Sequence, residues 1–195
     1  MEMTREEAQQ WLGEVNAVAK ELRHRLAYGI TGPILVLWGV VWMVCFAITH
    51  FAPKSAGWGW LVGDVLGIAG TLCLGRFRGR RADVCSDSAK RLGRRLYWSW
   101  LVLFVYAAIW LAVLWPWRGG QLGTFLVLLV MFAYVVMGLW LEIRFLLWLG
   151  LAVTLLAGAG YAFSWVIPGY LDLWLGFTGG TALLGSGLYL TLRWR

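Results

Sequence analysis

The chain has 195 residues, 61% hydrophobic and 14% charged, with a formal charge of +7 and 15 tryptophans. A water-soluble domain carries about 25% charged residues, so a core folded in water is excluded and an all-α membrane protein is expected. No H-E-x-x-H, Walker A, G-x-S-x-G or dinucleotide motif occurs and there are two histidines, so no catalytic residue, metal or cofactor is expected.

Residues 1–28 read as an amphipathic cytoplasmic helix. Thr4 and Glu7 match a T-x-x-E capping box, and Ala8, Trp11, Leu12, Val15, Ala19, Leu22 and Leu26 recur at helical spacing. Acidic residues (Glu2, Glu6, Glu7, Glu14) come early and basic ones (Lys20, Arg23, Arg25) late, which suits the helix dipole. Its apolar stripe has two uses: lying on the bilayer or the protein's own inner face, or docking a cytosolic partner. The start is acidic rather than a basic n-region, so no cleavable signal is expected and the first span stays as an anchor. Gly29, Gly32 and Pro33 mark the join to that span.

Residues 29–195 read as a six-helix transmembrane domain arranged as three hairpins. The apolar windows are about 30–51, 58–75, 96–117, 122–141, 145–167 and 172–192. Six crossings leave both termini on one side. That side collects fifteen Lys and Arg residues against Lys54 and Arg118 on the other, so both termini are expected in the cytoplasm. Trp58, Trp60, Trp115, Trp117, Trp165 and Trp174 fall at outer ends. Trp98, Trp100, Trp140, Trp148 and Trp194 fall near inner ends, giving the two interfacial belts that indole favours. Trp42 and Trp110 lie deeper and are expected between helices. Cys45, Cys73 and Cys85 have no metal-ligand spacing and read as two buried thiols and one loop thiol.

Asp64, in LVGDVLGIAG, is the deep acid of span two. A mid-membrane Asp costs about 2.5–3.5 kcal/mol on insertion scales, so it should face protein or water. Gly63 and Gly67 form a GxxxG pair beside it, which allows close helix approach. Two readings stand. One is a carboxyl hydrogen-bonded across a helix seam. The other is a proton or cation site grouped with Thr71, His50 and Tyr161. Thr49 and Ser164 are further neighbours at that depth, with Lys54 and Arg118 reaching down from outside. His50 also reads as an interfacial anchor. Residues 76–95 form a basic cytoplasmic loop holding Arg76, Arg78, Arg80, Arg81, Lys90, Arg91, Arg94 and Arg95. Anionic-lipid contact at about 1 kcal/mol per basic residue is expected there. Ser86, Asp87 or Ser88 would cap a short helix toward Arg95. Phe77 is the one aromatic within the run and no recognition module surrounds it, so nucleic-acid binding is not expected.

Pro53, Pro116 and Pro168 each end an odd-numbered span with glycine soon after, the pattern that suggests three hairpins. Between spans four and five, LWLEIRFLLW lacks Pro and Gly. One helix from Gln121 to Ile167 would be roughly 70 Å long, too long for a single crossing, so a tight reversal is required. Gly176 and Gly180 in span six read as packing positions. Asp172 suits the positive end of that helix.

The segment PILVLWGVVWMVCFAITHFAP followed by GWGWLVGDVLGI resembles a group of bacterial inner-membrane proteins of no assigned activity. That group has an N-terminal amphipathic helix and a Trp-Gly-x-x-Trp first span, here Trp38, Gly39 and Trp42. The resemblance implies a bacterial inner-membrane location and brings no functional residues. The expected function is a non-enzymatic scaffold or regulatory protein whose partners are the bilayer, anionic lipids, and a cytosolic protein or a second copy. The alternative is a small transporter or channel using Asp64.

Overall fold

The computed structural model describes residues 11, 13, 31–81, 87–117, 120–140, 142–166 and 169–193; for 78–81, 87–93 and 193 it describes the backbone alone. Every regular element among them is helical. Helix α1 spans Thr31–Phe51. A one-turn 3-10 helix, Pro53–Ser55, leads into α2, Ala56–Arg81. Then come α3, Asp87–Val113; α4, Gln121–Trp140; α5, Arg144–Phe163; and α6, Leu171–Arg193. Helices α1 to α5 contain stretches long and apolar enough to cross a membrane, with mean hydropathy from 1.4 in α2 to 2.5 in α4. Helix α6 has the length, 23 residues, but its five glycines and three threonines dilute its hydropathy, and it is not among those five.

The basic segment 76–95 differs from the expected loop. Helix α2 continues to Arg81 and α3 begins at Asp87, so the short separate helix is instead the first part of α3. At 1.5 Å per residue these helices are roughly 40 Å long, against a hydrocarbon core of about 30 Å. They therefore extend past the apolar layer at their arginine-rich ends. Span one falls where expected, Thr31–Phe51 against about 30–51. Gly32 and Pro33 belong to α1, and Gly32 is buried rather than a hinge. Span five ends at Phe163, before the expected 167. The 1–28 helix lies outside the described residues except for Trp11 and Gly13, both helical. Cys85, Arg118, Pro168 and Trp194 lie outside them as well.

The α4–α5 reversal is a Schellman closure built without glycine. The Ile143 amide donates to Gly138 O at 2.8 Å and the Glu142 amide to Leu139 O at 3.4 Å. These are the two bonds that close a helix on a left-handed residue. Glu142 occupies that position at φ 56, where glycine is usual because a Cβ is strained. Ile143 is buried beneath the turn, supplying the accompanying apolar contact. A Cβ on Gly138 would lie 2.5 Å from the Leu147 amide nitrogen, so glycine is what allows the two helices to approach so closely at the bend.

The core comprises α1, α4, α5 and α6. Leu35, Trp42 and Phe46 of α1 meet Val127, Met131 and Tyr134 of α4, Leu146, Leu149 and Val153 of α5, and Leu175, Leu183 and Leu190 of α6. Helices α1 and α6 run antiparallel in backbone contact. A Cβ on Gly39 would sit 2.6 Å from Leu184 N and 2.8 Å from Gly180 O. One on Gly187 would sit 2.5 Å from Gly32 O. A third of the apolar window is buried in each of α1, α4 and α5, against 6% in α2 and in α3. Helix α2 lies against α1, and α3 leans on α4. Of the two deep tryptophans, Trp42 is buried as expected, but Trp110 is 52% exposed on α3. Because α3 touches its neighbour along a narrow stripe, that position faces outward.

Candidate functional site

Asp64 sits on the seam between α1 and α2, and local sequence explains how that seam closes. Gly59, Gly63, Gly67 and Gly70 of α2 recur every three or four residues, which places them along one helical face. That face receives side chains of α1. A Cβ on Gly63 would meet Cys45 Sγ at 2.5 Å, one on Gly67 the Trp38 ring at 2.9 Å, and one on Gly70 the Leu37 side chain at 2.6 Å. Gly63 and Gly67 thus admit α1 side chains, while Gly176 and Gly180 admit Phe46 and Met43 at the other seam.

Two reciprocal hydrogen bonds clasp α1 to α2. Trp38 Nε1 on α1 donates to Thr71 Oγ1 on α2 at 3.1 Å. Trp60 Nε1 on α2 donates to Thr49 Oγ1 on α1 at 3.0 Å. Each helix gives one indole and receives one, and the donor and acceptor on each helix are eleven residues apart. Both hydroxyls donate back to the carbonyl four residues earlier, Thr49 to Cys45 O and Thr71 to Gly67 O, each at 2.8 Å. The threonine hydroxyl thereby spends its proton inside its own helix and presents a lone pair to the neighbour's indole. A back-bonded threonine is a usual arrangement within a helix. The Cys45 thiol adds a weak donor contact to Gly59 O at 3.5 Å.

Asp64 lies between the two clasps. It is half-buried and within electrostatic reach of the Cys45 thiol. Among the described residues it makes no hydrogen bond and no ion pair. Among the described residues, then, no hydrogen bond across the bundle holds the carboxyl. Two helical turns on, Thr71 is committed to Trp38 and Gly67. The other residues grouped with Asp64 in the sequence go elsewhere. His50 packs edge-on to Phe51 at 4.7 Å and lies within electrostatic reach of Asp172 in the first turn of α6. Tyr161 packs against the core from α5, and Ser164 donates to its carbonyl at 2.6 Å. Lys54 is exposed on the 3-10 turn.

Two tryptophans assigned to the outer belt serve as helix-to-helix donors. Trp60 also packs edge-on against Phe46 at 5.0 Å. Trp174 lies over Gly160 and donates to Leu156 O at 2.8 Å. For Trp174 the available signal was Gly160, a neighbour without a side chain over which the indole lies. Among the described residues no three His, Cys, Asp or Glu side chains gather as a metal site requires.

No protein-family description, no curated protein and no solved structure matches the chain. The site is thus defined by its own geometry: a carboxyl held in place by two indole–hydroxyl clasps, on a helix whose remaining faces have no protein partner among the described residues.

Proposed function

We propose that this chain is a non-enzymatic scaffold or regulatory interaction protein of the bacterial inner membrane, with both termini and the basic ends of α2 and α3 in the cytoplasm. The distribution of arginine supports that orientation. Six crossings are supported by the packing of α6. It touches α1 from Gly176 against Phe46 to Thr191 beside Gly32, a run of roughly 22 Å by helical rise. A helix in contact with a crossing helix over that length shares its depth.

The observation that carries the reading is the difference in burial between the core helices and the α2–α3 limb. Leu61, Val65, Leu66, Ile68 and Leu72 on α2, and Val102, Val105, Tyr106 and Ile109 on α3, are all more than half exposed. On the α1–α2 seam Asp64 offers a carboxyl that no described residue uses. An unpaired acid in hydrocarbon marks a functional position, and on a limb it is available to a partner's donor. A photocrosslinker at Val65 or Val105 in native membranes is expected to give a discrete adduct to a second chain that weakens when Asp64 is replaced by Leu. The same probe at Leu155, lipid-facing on α5, is expected to give none. Equal adducts at all three positions would overturn the reading.

The unpaired carboxyl also favours a second reading, a small transporter or channel in which Asp64 binds a proton or cation. In that case Asp64→Asn abolishes flux in reconstituted vesicles and leaves the crosslinks in place; unchanged flux excludes it.

A further inference from the structure

We propose that the crevice between α3 and α4 is a binding site for one anionic phospholipid, its acyl chain between the helices and its phosphate on Arg95. The crevice has a volume of about 100 Å3 and is walled by Leu96, Ser99, Trp100 and Leu103 of α3 and by Phe132, Ala133, Val136 and Met137 of α4. It exists because α3 and α4 are loosely joined. Trp100 meets Tyr134 edge-on at 6.3 Å and stacks along its own helix on Phe104, so its ring walls the crevice without filling it.

Three observations point to a lipid. The walls are apolar along roughly 10 Å of helix, from Leu96 to Leu103, as a hydrocarbon chain requires. At one end stands Arg95, whose carbonyl accepts the Ser99 hydroxyl at 2.9 Å. Ser99 itself lines the crevice, so Arg95 lies one turn above the wall. Finally, Tyr97 and Trp98 are exposed at that level, edge-on to each other at 5.8 Å, the disposition of aromatic rings in the headgroup region. An exposed guanidinium at headgroup depth forms charge-assisted, bidentate bonds with phosphate. Eight basic residues against Asp83 and Asp87 between 76 and 95 select a net negative headgroup over a zwitterionic one. The site is independent of Asp64 and of both functional readings, since it lies on a different helix pair.

The test uses the full-length protein, delipidated in detergent and titrated with phosphatidylglycerol or phosphatidylcholine, with bound lipid counted by native mass spectrometry. One phosphatidylglycerol retained per chain, in preference to phosphatidylcholine, is expected. Arg95→Gln weakens retention about five-fold, the equivalent of about 1 kcal/mol. Ala133→Phe, which fills the crevice, removes the retained lipid while Arg95 remains. Phosphatidylglycerol with a photoactivatable acyl chain, applied to the unmodified protein, labels Phe132 or Met137; this arm needs no variant to fold. Glycerol phosphate in solution does not displace the lipid, because the headgroup alone lacks the crevice contact. Equal retention of phosphatidylcholine, displacement by glycerol phosphate, or acyl-chain labelling spread evenly over the exposed faces would each overturn the proposal.

Discussion

Helix α1 is packed on two sides by glycine-bearing helices, and the two seams are filled differently. Toward α6 the glycines of both helices bring backbone against backbone, Gly39 to Gly180 O and Gly187 to Gly32 O, besides admitting the Phe46 and Met43 side chains at Gly176 and Gly180. Toward α2 the glycines lie on one helix and admit side chains of the other, the Trp38 ring and the Leu37 and Cys45 side chains. Side chains turn aside at modest cost, whereas a helical backbone moves only as a unit. The α6 seam is therefore a fixed joint, and the α2 seam is a yielding one held in register by its two indole–hydroxyl bonds. That contrast matches the burial of the core helices against the limb.

The comparison breaks most sharply if backbone contact is not what distinguishes the seams. Gly39→Ala is expected to cost about 3 kcal/mol, the upper end for overpacking, because the atoms it meets belong to the α6 backbone. Gly185→Ala, on the same α6 with nothing within 4 Å, should be neutral or slightly favourable, as alanine is the better helix former. Unfolding titrations in mixed micelles compare the two. A similar midpoint for both variants removes the distinction.

Next in size is Asp64. Because its carboxyl makes no bond to the described protein, Asp64→Leu is expected to raise stability by about 1.5 kcal/mol, roughly half the insertion cost of a fully lipid-facing acid. The same titration measures it, and a loss of stability would mean that the carboxyl supports the fold. The smallest effect belongs to the clasps. Trp60→Phe keeps a ring against Phe46 and deletes one donor, which sets the expected loss at about 0.6 kcal/mol, the mean for interhelical bonds in membranes. Trp60→Phe combined with Thr49→Val should cost little more than either change alone, since both remove the same bond.

What the sequence made legible was set by short-range physics. The apolar windows follow from solvent alone, and the tight reversal after Trp140 follows from helical rise against bilayer thickness. The Glu142 conformation that achieves it was not legible, since a left-handed residue without glycine carries no local signal. The α1–α6 seam was also out of reach. Hydropathy says which residues leave water but not which distant helix they meet, so Gly32 read as a join when it is a contact. The seam bonds of Trp60 and Trp174 were hidden for a related reason. Indole is equally suited to a headgroup layer and to a carbonyl or hydroxyl in a seam, and only the neighbouring helix decides between them. For Asp64 the sequence showed the expense of the carboxyl without showing whether anything offsets it.

The contact between α1 and α6 has a consequence for biosynthesis. Its two halves are about 150 residues apart, so the ribosome releases one long before the other. During that interval the glycine face of α1 lies bare, and pairings that depend on such distant segments form late. Until α6 is made, that face of α1 is an open groove, and the backbone of α6 is what fills it.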